Sequence, residues 1–195
     1  MSGQGIALAP RTDETILLAA HQLLLEGGFA GMSMRCLSHR AGLQAGSLYH
    51  HFSGKQEVLE EVLGGIVQRR VGGWRRVRPL ARPAWQRLQQ FIEFHVRHVL
   101  QHAADQAVLR SERRYLDAQA RERLEQLERE YFQVLFASVA EGVAAGVFSV
   151  TCARLAARTL RGLLDSIEDA PDDGRMTPWM IEVAARVLRV GEAGR

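Results

Sequence analysis

The chain has 195 residues, of which 47% are hydrophobic and 24% charged, and a formal net charge of +3. This size permits one core, or a small head with a larger body. No stretch approaches the roughly 20 apolar residues of a membrane span, and residues 1–10 lack the features of a secretory signal, so we expect a cytoplasmic protein.

Cys36 and Cys152 form no CxxC pair, which argues against a zinc site or a disulfide framework. We expect both to be small buried hydrophobic residues.

The first predicted helix runs from about Thr12 to Glu26. Its apolar residues recur at helical spacing on one side, and Gly27-Gly28 is a stop signal at its end. We expect it to support the following helices from behind. Its inward residues are Ile16, Ala19, Ala20, Leu23 and Leu24.

Residues 33–52 predict a helix-turn-helix. Ser33 can cap the first of its helices, and Gly42 can take the left-handed backbone that ends it. Leu48 and Phe52 lie one turn apart on the second helix, facing inward. The open face then carries groups suited to base edges and phosphates, at Gln44, Ala45, Ser47, Tyr49 and His50.

The charges of this segment favour a nucleic-acid surface. Between Gly27 and Gln56 the sequence contains no Asp or Glu, which suits a surface laid against phosphates. The basic residues of the window are Arg35, Arg40 and Lys55, to which His39, His50 and His51 can add charge. The alternative is a helical hairpin whose polar face happens to lack acids.

A fourth helix is predicted from about Lys55 to between Arg70 and Gly73. Ser53 can cap it, with Gln56 closing a capping box. Lys55 is the only lysine, and beside the positive end of a helix it marks a possible phosphate site. We predict the boundary between head and body at the Gly72-Gly73 pair.

These residues resemble a known family. Ala41-Gly42-Leu43, the run from Gly46 to Phe52 (GSLYHHF) and Lys55 resemble the recognition-helix signature of the tetracycline-repressor (TetR) family of bacterial transcription regulators, and the similarity extends from about Thr12 to Leu63. The resemblance implies an all-α homodimer with a three-helix DNA-binding head, residues 1–55, and a ligand-binding and dimerisation body, residues 56–195.

The resemblance also implies the DNA contacts. We assign them to Ser33, Arg35, Gln44, Ala45, Ser47, Tyr49, His50 and Lys55, with Tyr49 and Lys55 on phosphate and with Gln44, Ala45, Ser47 and His50 including the base-reading residues. Two residues depart from the family pattern. Cys36 replaces an acid, and Gln44 stands where Ser or Thr commonly opens the recognition helix. Because Gln caps poorly, either the start of that helix is less rigid or Gln44 reads a base.

An amphipathic helix is predicted from about Pro83 to Ala104. His95, His98 and His102 fall within one narrow sector of it, and imidazoles one turn apart can bind a transition metal. We favour His95 as a core or pocket residue with the other two flanking it in solvent, because no cysteine or carboxylate ligand is evident beside them. A metal site formed by the three histidines is the minority alternative.

Four further helices are predicted, at about 105–116, 118–145, 151–168 and 178–190, with a turn at 170–174. The long third-to-last helix has a buried face at Leu124, Leu127, Tyr131, Val134, Leu135, Ser138 and Val139. The last two helices are apolar on more than one side, which predicts a homodimer interface. Their apolar residues are Leu155, Leu160, Leu163, Leu164, Ile167, Trp179, Ile181, Val183, Val187 and Leu188. The alternative is a thicker monomeric core.

A small-molecule effector is expected in the body. Its candidate lining is Trp85, Phe91, His95, Val99, Arg113 and Tyr131, a mixture that suits a largely apolar molecule with a polar end. Some TetR relatives with a similar recognition helix respond to acyl-CoA or lipid-like compounds, and the resemblance makes Arg110, Arg113 and Arg114 candidates for the phosphates of such a ligand.

No catalytic constellation is evident: the sequence has no nucleophile elbow, no phosphate-binding glycine loop and no Glu-x-x-His pair. We therefore predict a DNA-binding transcription regulator and not an enzyme, without a cofactor, that represses from a palindromic double-stranded operator and is released by its effector. The alternative is a helical metal- or ligand-binding protein that uses His95, His98 and His102 and binds no DNA.

Overall fold

A computed structural model describes residues 12–79, 81–167 and 174–190. In these ranges the chain is all-α, as predicted. The helices are α1 (Thr12–Gly31), α2 (Met34–Arg40), α3 (Ala45–His51), α4 (Lys55–Val77), α5 (Ala84–Gln101), α6 (Ala103–Glu112), α7 (Ala118–Ala144), α8 (Ala153–Asp165) and α9 (Met176–Leu188), with a 3-10 turn at Arg113–Tyr115. Across the described residues no helix is long and apolar enough to cross a membrane. The predicted end of the second-to-last helix at 168 and the turn at 170–173 lie outside this description.

Helices α1, α2 and α3 form the head. Leu48 and Phe52 are buried, as their spacing predicts, and the Ser33 hydroxyl accepts the Cys36 N–H at 3.1 Å. Gly42 takes a φ of 70° at the turn. The local sequence therefore specifies the helix-turn-helix as expected.

A break in α1 is present at the predicted stop. Gly28 has a φ of 65°, and one further helical turn continues to Gly31. The break leaves the Phe29 N–H without an acceptor inside the helix, and the buried carboxylate of Glu112 in α6 accepts it at 2.8 Å. The body thus supplies a hydrogen bond that the head cannot make for itself.

Helix α4 is longer than predicted, because Gly72 and Gly73 lie inside it and do not end it. Its buried face continues through Val71 and Trp74, and this burial outweighs the cost of about 1 kcal/mol per helical glycine. At Gly73 a Cβ would lie 2.9 Å from the Phe94 ring. The close approach of α5 therefore explains the glycine at position 73.

The start of α4 also differs from the prediction. Gly54 is the N-cap residue, and both the N–H and the hydroxyl of Ser53 donate to the Glu57 carboxylate, at 2.7 and 2.8 Å. Gln56 instead donates to the Tyr115 carbonyl at 3.2 Å. A charged carboxylate is a stronger acceptor than an amide, which explains why Glu57 takes the place predicted for Gln56.

The prediction that the two cysteines are buried is wrong. Cys36 and Cys152 are both exposed. On the short helix α2 the inward position belongs to Leu37, which is fully buried. Cys152 precedes α8 in an extended conformation. Neither position therefore needs a hydrophobic side chain.

Helices α1, α4 and α6 are joined by one carboxylate. Asp105 of α6 lies 2.9 Å from His21 Nε2 of α1 and 2.9 Å from the Arg69 guanidinium of α4. Burial alone would raise the pKa of Asp105, but the hydrogen bonds from His21 and Arg69 outweigh it and hold the pKa at about 2. The ionised carboxylate therefore links the head to the body.

Helix α7 ends in a tight turn that requires glycine. The N–H groups of Val147 and Phe148 both donate to the Gly142 carbonyl, and the Phe148 ring lies directly against Gly142, where a Cβ would overlap it. Phe148 also forms an isolated antiparallel bridge with Val190. This turn closes the body against the end of α9.

The Gly142→Ala variant should lower the free energy of unfolding by about 1–3 kcal/mol, because the new methyl overlaps the Phe148 ring. Gly64→Ala is the matched control, since a Cβ there meets nothing within 4 Å. It should stabilise the chain by about 0.5–1 kcal/mol. Urea denaturation of both variants measures the difference, and a neutral Gly142→Ala would contradict the close packing.

The Asp105→Asn variant should lower the free energy of unfolding by about 1–2 kcal/mol at pH 7. Because the folded state lowers this pKa, the stabilisation is complete above about pH 5 and is lost as the pH falls through 3.8 towards 2. Urea denaturation should therefore show a gap between wild type and variant that narrows at acidic pH. Glu122→Gln, which alters an exposed pair, should change stability by less than about 0.5 kcal/mol.

Candidate DNA-binding surface and effector site

Most of the predicted DNA-contacting residues are exposed on α2, on α3 and at their N-caps. Tyr49 exposes 56% of its surface although it is aromatic, and Gln44 is the N-cap residue of α3 with no side-chain capping bond. Its amide therefore stays available for another partner. Exposed members of the set are Ser33, Arg35, Gln44, Ala45, Tyr49 and His50, while Ser47 and Lys55 are half-buried.

Two of the basic residues counted in the acid-free window have acidic partners from α1. Arg40 binds the Glu26 carboxylate through two hydrogen bonds of 2.8 and 2.6 Å, which lower the pKa of Glu26. His51 Nδ1 lies 2.6 Å from Asp13. The inference from sequence that both add free positive charge is therefore corrected: acids outside the window fold back onto them.

Lys55 connects this surface to the body. Its ammonium lies 3.4 Å from the Phe29 carbonyl and 4.4 Å from the centroid of the Phe29 ring. That ring packs against Tyr115 of the 3-10 turn, with centroids 5.3 Å apart. A phosphate bound at Lys55 would therefore be next to the junction with the body.

The structure brings three of the predicted effector residues together. Phe91, His95 and Tyr131 are buried, with ring centroids 5.1 to 6.0 Å apart. His95 Nδ1 lies 3.0 Å from the Tyr131 hydroxyl, and its Nε2 lies 3.4 Å from the Leu164 carbonyl. Because a carbonyl only accepts, Nε2 carries the proton and Nδ1 accepts the Tyr131 O–H.

This pair is uncharged. Burial, with the nearby positive charge of Arg70, lowers the pKa of His95 to about 3. Burial likewise raises the pKa of Tyr131. Near neutral pH the pair therefore forms a neutral hydrogen bond inside an aromatic cluster.

The other predicted effector residues form no ring contact or hydrogen bond with this cluster among the described residues. Trp85 is buried against Phe148, with ring centroids 6.1 Å apart, and Val99 is buried in α5. Arg113 is half-buried and lies 3.5 Å from the Glu128 carboxylate.

Tyr131, a member of the aromatic cluster, also lines a groove of about 580 Å³ together with Val71, Trp74 and Val134.

Sequence reasoning missed several buried polar residues, of which Arg70 lies beside the aromatic cluster and Gln106, Glu112 and Glu128 are others. Arg70 is 4% exposed, its guanidinium lies 4.7 Å from the Tyr131 ring centroid, and its Nη1 lies 3.4 Å from Gln106 Oε1. The signal was present in the sequence, because Arg70 falls on the apolar stripe of α4 one turn after Ile66 and one turn before Trp74.

The three histidines do not share one environment. His95 is buried with both ring nitrogens in contact with acceptors or donors, His98 is half-buried and His102 is exposed. Burial, followed by the influence of His102, lowers the pKa of His98 to about 4. Within the described ranges no group of three or more His, Cys, Asp or Glu is arranged to hold a metal ion.

Two family models match the chain. The model for bacterial regulatory proteins of the TetR family covers residues 16–62, and the model for a tetracyclin repressor-like C-terminal domain covers residues 81–185. The first match contains the helix-turn-helix, and the second contains most of the body and more than half of the chain.

Curated relatives include the HTH-type transcriptional repressor KstR2. The Mycolicibacterium smegmatis protein is 35% identical over 69 residues, which are 35% of this chain and 33% of that protein. The Mycobacterium tuberculosis protein is 28% identical over 137 residues, 68% of each chain. The match to the first of these relatives therefore spans about a third of its length.

Solved structures share the fold over nearly the whole chain. A TetR-family regulatory protein from Rhodococcus RHA1 has a TM-score of 0.84 at 17% identity, covering 94% of this chain and 100% of that one. AibR, solved with isovaleryl coenzyme A and operator DNA, has a TM-score of 0.77 at 17% identity, covering 93% and 100%. Together with the family models, these findings show that the chain belongs to the TetR family of bacterial regulatory proteins.

Proposed function

We propose that the protein is a transcriptional repressor that binds a palindromic operator as a homodimer and is released by a small-molecule effector. The observation that carries this proposal is the helix-turn-helix of the head, with its inward side buried and its polar side exposed. The relatives support this type of function, because KstR2 is named a transcriptional repressor and AibR was solved with isovaleryl coenzyme A and operator DNA.

The DNA contacts follow from the exposed face of the head. We assign the phosphate contacts to Tyr49 and Lys55. The base-reading residues are among Gln44, Ala45, Ser47 and His50. Ser33 and Arg35, at the start of α2, are the remaining DNA contacts. Amide and hydroxyl groups suit base edges, whereas a point charge suits phosphate. In this proposal residues 1–55 form the DNA-binding domain and residues 56–195 form the ligand-binding and dimerisation domain.

The dimer interface is proposed on α8 and α9. Leu155 exposes 63% and Trp179 exposes 51% of its surface, and Leu163, Ile181 and Val187 nearby are half-buried. A second copy would remove these apolar surfaces from water, which is the main driving force for such association.

The effector is proposed to be a largely apolar molecule with a polar end, of the acyl-CoA or lipid-like kind. Phe91, Val99 and Trp85 supply apolar surface, while His95 and Tyr131 supply buried polar groups. Arg113 and Arg114 are candidates for a phosphate-bearing end outside the core. AibR is itself bound to isovaleryl coenzyme A. We assign no catalytic role to the chain.

Lys55→Ala should weaken operator binding alike for all sequences and reduce the slope of log affinity against log salt by about one. Fluorescence anisotropy across a salt series, with a palindrome from the region upstream of the gene, gives both quantities. Arg129→Ala is the control, because Arg129 lies on the outer side of α7 with its own acidic partners. A change in base preference on Lys55→Ala would refute its assignment to phosphate.

Leu155→Arg should convert the dimer into a monomer, because it places a charge in the proposed apolar interface. Leu18→Arg is a matched control, since Leu18 exposes 62% of its surface on α1. Size-exclusion chromatography with light scattering measures the mass. Only the intact dimer should prefer a palindrome, whose half-sites lie about 34 Å apart, over a single half-site. A dimeric Leu155→Arg protein would rule out this interface.

A further inference from the structure

The interior of the body contains a charge that has no direct ion-pair partner among the described residues. Asp165 is close enough to feel it, since burial raises the pKa of that carboxyl while the charges of Arg161 and Arg70 lower it. Arg70 is 4% exposed, and an arginine remains protonated in a protein. Its one hydrogen bond among the described residues is the 3.4 Å contact with the Gln106 amide oxygen. Burying an unpaired charge is costly, so this guanidinium calls for an anion that the described chain does not provide.

The unsatisfied atoms around it are all donors. Arg70 Nε and Gln106 Nε2 are both buried without an acceptor in the described part of the chain. The Tyr131 hydroxyl is already used as a donor to His95. A partner that completes this site must therefore supply acceptor oxygens.

The acidic side chains around this cluster are already paired with other arginines. Glu128 lies 3.5 Å from Arg113 and 3.7 Å from Arg161, and Asp165 lies 3.4 Å from Arg161. Neither carboxylate is within ion-pair distance of Arg70. Because His95 is neutral, Arg70 supplies the positive charge at the buried end of this site, whereas Arg75, Arg78 and Glu130 line the groove beside Tyr131.

Space for the rest of a ligand adjoins Tyr131, although neither Arg70 nor Gln106 lines it. Tyr131, whose ring lies under the Arg70 guanidinium, also lines the groove of about 580 Å³ between α4 and α7. Val71 and Trp74, which flank Arg70 along α4, line it too. A molecule that fills this groove can therefore reach the guanidinium by displacing the side chain of Tyr131.

We propose that Arg70 and Gln106 bind the carboxylate of an apolar monocarboxylic acid, whose hydrocarbon part lies in the groove beside Tyr131. This narrows the effector class and rests on the proposed function. One carboxylate balances one guanidinium and can accept two parallel hydrogen bonds from it. A phosphate ester carries up to twice that charge, so the phosphates of a coenzyme A ester fit this interior site poorly.

The same site explains how binding would reach the head. Arg70 and Gln106 directly follow Arg69 and Asp105, the pair that holds His21 of α1. A carboxylate that draws Arg70 away from Gln106 shifts α4 against α6 beside that link. Such a ligand changes operator affinity only if it binds the two arrangements differently.

The test compares acids with their neutral amides. Decanoate and 4-phenylbutyrate should bind the full-length protein at least about tenfold more tightly than decanamide and 4-phenylbutanamide, measured by calorimetry. Arg70→Gln should bring this ratio to within about twofold. The control Arg76→Gln, on the exposed side of α4, should keep the wild-type ratio.

A second variant supplies the missing carboxylate from the chain itself. Gln106→Glu should raise the Tm of the ligand-free protein and abolish its response to decanoate, because the new side chain pairs with Arg70. Gln126→Glu, at an exposed position on α7, should leave both properties unchanged. A Gln106→Glu protein with a lowered Tm and an intact decanoate response would refute the site.

Three results would overturn the proposal. These are equal affinity for acids and amides, an acid preference that survives Arg70→Gln, and binding of decanoyl-CoA with no binding of either acid at millimolar concentration. Operator binding is measured separately by anisotropy without any acid present. Loss of operator binding there would count against the repressor function, while calorimetry would still report on Arg70.

Discussion

Helix α4 is continuous through the junction of head and body, and together with α6 it holds the head in place. Lys55 at its first residue lies against Phe29 of α1, whereas Arg70 near its middle lies inside the body. These two residues are 15 positions apart, about 22 Å along a helix. Because a helix is stiff over that distance, α4 joins the contact with Phe29 rigidly to the interior of the body.

The charge on the surface of the head depends on ion pairs with acidic residues as well as on the number of basic residues. Arg40 and His51 have partners in Glu26 and Asp13, which fix α2 and α3 against α1. Exposed pairs of this kind contribute little to stability and weaken with salt. Their role here is geometric, because they orient the two short helices while other polar side chains remain for DNA.

Local patterns predicted the helix-turn-helix because its determinants are near in sequence: Ser33 caps, Gly42 turns and Leu48 is buried within one short segment. The end of α4 was missed because the close approach of Phe94 to Gly73 depends on how α5 packs on α4, which the residues of α4 alone do not reveal. Arg70 was missed for a related reason. Arginine is usually exposed, so its residue type outweighed its position on the apolar stripe of α4, and the packing of α6 and α7 around it shows the burial.

The hydrogen bond that the Phe29 N–H donates to the Glu112 carboxylate has a consequence for how such proteins can diversify. A head transplanted onto another body keeps its own helices but loses an acceptor that its broken first helix requires, unless the new body offers a carboxylate at the same point. Heads and bodies with this contact are therefore not freely exchangeable modules. Recombination between relatives should be constrained to pairs that carry both the glycine at position 28 and the acid at position 112.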